Sequence, residues 1–278
     1  MPRHEPPYFG LLAFGLISVA CGPTSADSAP SGSAAQGGSA EPAVTIEYIA
    51  HASFLVTGPG GDRVLIDPYQ SRVWLGYDFP EGVSADAVLV THPHYDHDAG
   101  VFRGADFPWP GTQVIQAPGN QSVGSLRIVG VEGKHADPYG AEFGQLNTIF
   151  VIEAAGLRIA HLGDNGPLTD DNVRAMGHID VLMIPGDALY HILSPEATEA
   201  AIEALDPRFV IPMHYRIGTL ETDPESPSDL GDLAPWLEGR SPVLRQADNT
   251  VELNAGQLPD ERTYLVLEHS PKVLPPGA

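Results

Sequence analysis

The 278-residue sequence contains one cysteine, Cys21. A single thiol closes no intrachain disulfide and builds no cysteine-ligated structural zinc site. Basic side chains are also scarce, with 14 lysines and arginines against 36 aspartates and glutamates, a net charge of −22. A surface of that sign repels phosphate backbones, and no local basic stripe offsets it, which speaks against nucleic acid as a partner. The acidity reads as solubility rather than as substrate recognition. No internal repeat and no second domain are visible. The apolar stretch over residues 9–20 is too short to cross a bilayer comfortably.

That stretch has the length of an export signal. It follows a weakly basic start, Arg3 and His4, and runs into Cys21-Gly22. The position of Cys21 resembles the lipid-attachment cysteine of bacterial lipoproteins, although Ser18 stands where that motif prefers leucine. An ordinary secretory signal cut near Ala20 or farther along is the alternative. Residues 22–43 are Ser, Gly, Ala and Pro with almost no large apolar side chain, the composition of a flexible linker. The expected organisation is a signal over residues 1–21 with Cys21 lipidated, a tether over 22–43, a folded domain over 44–270 and a tail over 271–278. The expected location is the cell envelope, with a lipid anchor in a bacterial membrane.

Beyond the linker, short strand-like and helix-like segments alternate. Residues 44–48, 53–57 and 63–66 read as strands, the latter two joined by Gly58-Pro59-Gly60-Gly61. Residues 87–91, 125–131, 148–154, 157–161, 181–185, 209–212 and 263–267 read as further strands, with a hairpin at Ala155-Gly156. Ser194-Pro195-Glu196 opens a helix whose apolar stripe is Ala197, Ala201, Ile202 and Leu205. A second helix is predicted over residues 169–176.

The chemistry concentrates in Thr91-His92-Pro93-His94-Tyr95-Asp96-His97-Asp98, directly after an apolar strand. An extended segment sends residues two apart to the same side, so His92 and His94 can hold one metal ion. Asp96 and His97 follow where the chain turns and can reach a second. Histidine and carboxylate suit zinc, with iron or manganese also compatible by ligand type. A catalytic site fits this set better than a closed structural one. Complementary candidates follow later apolar strands: His135 after Gly133-Lys134, Asp164 between two glycines in Gly163-Asp164-Asn165-Gly166, and His214 in Ile211-Pro212-Met213-His214-Tyr215. Loops at strand ends are where a rigid scaffold carries chemistry.

The order His92-Pro93-His94-Tyr95-Asp96-His97, then His135, Asp164 and His214 resembles the metallo-β-lactamase superfamily. Val64-Leu65-Ile66-Asp67-Pro68 and Ile211 to Tyr215 look like the branch with ascorbate-phosphate lactonase, related uncharacterised hydrolases and the phospholipase D acting on N-acyl phosphatidylethanolamine. The resemblance spans about residues 44–268. It implies an α/β fold of the α+β kind, a four-layer αββα sandwich in a single domain, with two divalent metal ions at one edge. It implies that His92, His94 and His135 bind the first ion, that Asp96, His97 and His214 bind the second, and that Asp164 bridges them. Asp67 would buttress a ligand histidine. His51 would face the site, and Tyr190 and His191 would lie on a loop over it, where either could contact substrate or donate a proton. His161 reads as a hairpin-end residue, and His178 and His269 as surface residues. Two departures from the branch are Asn165, where threonine is common, and Asp187, where a second glycine is common.

Two metal ions can activate a water for attack on a carbonyl or phosphorus, with Asp164, Asp96 and His191 as the catalytic protein groups. The expected activity is hydrolysis of an ester-type bond, a lactone or phosphodiester, in a small-molecule or lipid-like substrate. The alternatives are a metal-retaining binding or sensing lipoprotein without turnover and a β-lactam hydrolase.

Overall fold

Seven strands of this protein end at one edge, and that edge carries the site. The computed structural model describes residues 41–100, 109, 111–220 and 229–275. The signal, Cys21 and the linker as far as residue 40 lie outside the described residues.

The first sheet has six strands in the order β13-β1-β2-β3-β4-β5. These are β1 (Val44–Ala50), β2 (Ser53–Thr57), β3 (Arg63–Ile66), β4 (Ala87–Leu89), β5 (Gln113–Ile115) and β13 (Thr250–Leu253). The second has eight, in the order β12-β14-β11-β10-β9-β8-β7-β6. They are β6 (Gly119–Val123), β7 (Leu126–Lys134), β8 (Leu146–Ala154), β9 (Leu157–His161), β10 (Val181–Pro185), β11 (Phe209–Met213), β12 (Val243–Arg245) and β14 (Thr263–Val266). Both sheets are mixed. Helices are few among the described residues: α1 (Asp170–Met176), α2 (Pro195–Leu205) and the single turn α3 (Leu233–Trp236).

Local chemistry accounts for the connections. The β8–β9 hairpin turns through Ala155 and Gly156, both with positive φ (52° and 74°), as a two-residue hairpin loop requires. Helix α2 begins at Ser194, whose side chain accepts from the Ala197 amide, with Pro195 in the first helical position. Thr169 and Asn172 cap α1 reciprocally, so Thr169, the first residue of the predicted helix, is its N-cap and the helix itself starts at Asp170.

Side-chain alternation divides the first sheet between two cores. Phe54 and Val56, Val64 and Ile66, and Ala87 and Leu89 face the interior between the sheets. Leu55, Leu65 and Val88 point the other way, into a second cluster with Tyr69, Leu75, Tyr77 and Trp109. Tyr69, Leu75, Tyr77 and Trp109 reach that outer face from loops. Val273 also packs there, 1 % exposed, so the fold continues into the predicted tail. In the second sheet β10 and β11 are parallel neighbours with every residue buried, as a strand covered on both faces must be.

Strand direction is what gathers the site. Strands β1 and β3 each run antiparallel to β2, and β4 runs parallel to β3, so all three point one way. Strands β7, β9, β10 and β11 likewise share one direction in the second sheet. His51, Asp67, His92, His135, Asp164, Asp187 and His214 all follow the carboxyl ends of these seven strands.

Candidate metal centre

Two groups of ligand-type side chains meet at that edge. His92, His94, His135 and Asp164 form one, and His51, Asp96, His97 and His214 the other. Within each group the candidate ligand atoms all lie within 4.8 Å of one another. His94 is half-buried and the other seven are buried.

Asp164 sits between the groups. Its Oδ1 is 3.2 Å from His97 Nε2, and its Oδ2 is 3.2 Å from His214 Nε2, 3.6 Å from His135 Nε2 and 3.8 Å from His92 Nε2. The Nε2 atoms of His97, His135 and His214 and Oδ1 of Asp164 are buried yet make no hydrogen bond. Buried polar atoms in folded proteins are nearly always partnered. Four such unpartnered ligand-type atoms converging at one place fit divalent cations, and the donor set is consistent with a dinuclear site.

The surrounding hydrogen bonds fix which nitrogen each ring presents. His97 Nδ1 donates to Asp67 Oδ2 at 2.7 Å, leaving Nε2 for the site. Thr91 donates to the same carboxylate through its amide (2.8 Å) and its hydroxyl (2.7 Å). That hydroxyl in turn lies 3.0 Å from His92 Nδ1 and accepts from it. His135 Nδ1 donates to the Ala136 carbonyl at 2.8 Å. His92 Nε2 and His94 Nδ1 then face each other at 3.0 Å.

The charge balance follows from this packing. Burial alone would raise the Asp164 and Asp96 carboxyls, but the surrounding imidazoles hold both well below the usual carboxylate range. Burial pulls His214 down, and Asp164 and Asp96 together outweigh it, pushing it up to about 9. His97 is raised for the same reason, with Asp67 contributing. Burial dominates at His92 and His94, which are lowered.

His51 is closer to the centre than its motif alone reveals. It is fully buried, and its Nε2 donates to Asp96 Oδ2 at 2.9 Å, because an ionised carboxylate only accepts. Burial, reinforced by neighbouring His214, lowers it to about 4. His51, Asp67 and His214 have left-handed backbones (φ 57°, 44° and 57°), a conformation non-glycine residues hold only where the surroundings enforce it.

Other candidates fall outside the ligand groups. His161 is buried against the Ala52 carbonyl (2.8 Å) and accepts from the Gly163 amide, so both ring nitrogens are used. His178 is exposed and pairs with Asp180, while His269 is half-buried and meets the Ser270 carbonyl. Asn165 takes part in the scaffold: its Oδ1 accepts from the Lys134 amide and from Asn147, and its Nδ2 donates to the Gly166 carbonyl.

A cleft of about 560 Å³ opens over the centre, with His94, Asp96, His135 and Asp164 in its floor. Its walls include Trp74, Tyr95, Tyr139 and His191. His191 stacks on Tyr139, with ring centroids 4.6 Å apart and planes 12° from parallel, and its Nδ1 lies 3.6 Å from Asp229. Tyr190 does not line the cleft. It has φ 53° and packs its ring against the inter-sheet core, so of the pair only His191 stands in the cleft wall. Asp187 explains how His191 is placed: its buried carboxylate accepts the amides of Leu189 (2.8 Å) and His191 (3.2 Å). Trp74 and Tyr139 carry no motif and were not legible as site residues.

The beta-lactamase superfamily domain family matches residues 45–214. A UPF0173 metal-dependent hydrolase of Rubrobacter xylanophilus is 29% identical over 215 residues, covering 66% of this chain and 86% of that protein. Another from Thermococcus onnurineus is 30% identical over 203 residues, covering 66% and 89%. Among solved structures, a candidate zinc-dependent hydrolase of the metallo-β-lactamase superfamily from Thermotoga maritima is 30% identical with a TM-score of 0.61. That match covers 81% of this chain and 98% of the other. With its two mixed sheets, its paired His/Asp groups and these relatives, the chain belongs to the metallo-β-lactamase superfamily and, within it, to the UPF0173 metal-dependent hydrolases.

Proposed function

We propose that this protein hydrolyses an ester-type bond, a lactone or a phosphodiester, at a dinuclear zinc centre, on the outer side of a bacterial membrane to which Cys21 tethers it. One observation carries the chemistry: a single carboxylate, Asp164, faces histidines of both ligand groups at the floor of an open cleft. His92, His94 and His135 would hold one ion, Asp96, His97 and His214 the other, and Asp164 both. Zinc is favoured by the histidine-rich set and by what the Thermotoga maritima relative is called. When bound, the ions supply a water of lowered pKa and charge to meet a developing oxyanion.

The chain's own groups then have distinct tasks. Asp96, held by His51, and Asp164 keep their charge in a buried setting and fix the two groups at one spacing. His191, in the cleft wall with Asp229 behind Nδ1, gives a proton to the leaving oxygen as its bond to carbon or phosphorus breaks. The water's oxygen ends on the acyl or phosphoryl product. Affinity to the lactonase and phospholipase branch rests on the motifs around Asp67 and His214. Tethering rests on Cys21-Gly22 and the small-residue linker that follows.

The test combines metal content with turnover. Zinc-loaded full-length protein should retain about two ions by mass spectrometry, and Asp164→Ala should hold one or fewer. Asp164→Ala and His94→Ala should each lower hydrolysis by at least about 100-fold. Full turnover in both variants would sink the mechanism.

A further inference from the structure

Three of the large apolar side chains exposed among the described residues, Tyr95, Tyr139 and Phe143, collect around one opening. Tyr95 and Tyr139 line the cleft and are 44 % and 41 % exposed. The Phe143 ring is 5.2 Å from His94. Leu189 lies two residues before His191 on the loop that Asp187 holds. Leu189 is 67 % exposed. Apolar side chains exposed together at a single mouth mark a binding surface.

The same cleft is poor in groups that read anions. No lysine or arginine is among the described residues lining it, and its outer wall carries Asp229. Phosphate recognition ordinarily uses arginine forks or lysine charges placed on the non-bridging oxygens. The net charge of −22 adds repulsion on approach. The flat Tyr139–His191 stack, with Trp74 5.8 Å from His191, instead offers a continuous aromatic wall from the mouth towards the floor.

From this we infer that the substrate is an uncharged carboxylic ester or lactone bearing an apolar arm, which lies along the wall formed by Tyr139, His191 and Trp74. The inference rests on the hydrolase reading above and narrows it, selecting carbonyl over phosphoryl. In the reaction the acyl carbon gains the water oxygen, the acyl–oxygen bond breaks, and the alcohol oxygen takes the proton.

Substrates sharing one leaving group separate the possibilities. Zinc-loaded full-length protein is assayed with p-nitrophenyl acetate, butyrate and hexanoate and with bis(p-nitrophenyl) phosphate. The expected result is kcat/KM rising about tenfold or more from acetate to hexanoate, mainly through KM, with the diester slower than all three. Tyr139→Ala should flatten the rise. A second readout needs no turnover: p-nitrophenyl butyl ether, which resists hydrolysis, should quench tryptophan fluorescence, at higher concentrations in Tyr139→Ala than in the parent. Rates independent of acyl length, or a diester faster than the esters, would overturn this inference while leaving the hydrolase intact. No turnover of either class by protein holding two ions would overturn both.

Discussion

At the level of single residues, the centre is a balance between burial and charge. His97 and His214 are raised by the carboxylates around them, although burial opposes it. With His214 pushed up to about 9, the metal-free chain carries its proton at pH 7. A metal accepts only the neutral ring, so binding must release that proton. Apparent zinc affinity should therefore rise with pH and level off above about 9. Calorimetry at pH 7 in buffers of different ionisation enthalpy should give different apparent heats. Equal heats would mean that the rings are already neutral. His51 shows what burial does without enough compensation: its own Asp96 contact leaves it at about 4, a neutral donor that steadies a carboxylate.

At the level of elements, the strand ends decide how precisely those residues are held. Gly163 precedes Asp164 with φ +55°, and a Cβ there would lie 2.6 Å from Thr91 Oγ1 and 2.7 Å from Asn147 Oδ1. Gly163→Ala should cost about 2–4 kcal/mol in denaturant titrations, from the left-handed backbone and the overlap together. It should also weaken metal retention by displacing Asp164. The loop after β10 depends on Asp187 in a comparable way. Asp187→Gly removes the acceptor for two amides and should cost about 1–3 kcal/mol. Hydrogen exchange at the Leu189 and His191 amides should accelerate, and kcat should fall on the order of tenfold as His191 loses its position. Asp187→Asn keeps one acceptor oxygen and should retain most of the protection.

Elements also differed in how readable they were. Strands β2, β3, β9 and β10 announce themselves, because runs such as Ser53–Thr57 and Val181–Pro185 are apolar and bounded by turn residues. Strand β12 has all three residues exposed, and β6 is mostly polar at the sheet edge, so neither carries a burial pattern to read. The site divides similarly. The cluster from His92 to His97 is dense enough in ligand types to be recognised locally. Trp74 and Tyr139 are ordinary aromatics whose role comes from loops brought over the cleft.

At the level of the whole molecule, attachment of the domain rests on the segment around Cys21. No helix among the described residues is long and apolar enough to cross a membrane. If Cys21 carries lipid, the full chain should partition into the detergent phase of a Triton X-114 extraction. Cys21→Ser should move it to the aqueous phase, and globomycin should cause a larger precursor to accumulate. Unchanged partitioning in Cys21→Ser would remove the lipid tether from the functional reading.

What the sequence determined by itself is the inventory and its order: a histidine–aspartate cluster after a buried strand, three later ligand candidates at strand ends, and the hairpin and helix caps that punctuate them. These are local properties, because spacing, turn chemistry and apolar periodicity act over a few residues. Only the tertiary structure decided the rest. Parallel strand directions in two sheets bring His51, His92, His135, Asp164 and His214 to one edge from positions up to 163 residues apart. The same packing assigns His161 to the scaffold and His51 to the centre, though both are histidines near strand ends. Which ring nitrogen faces the cleft, and which carboxylate stays ionised in burial, depends on partners that no local pattern contains.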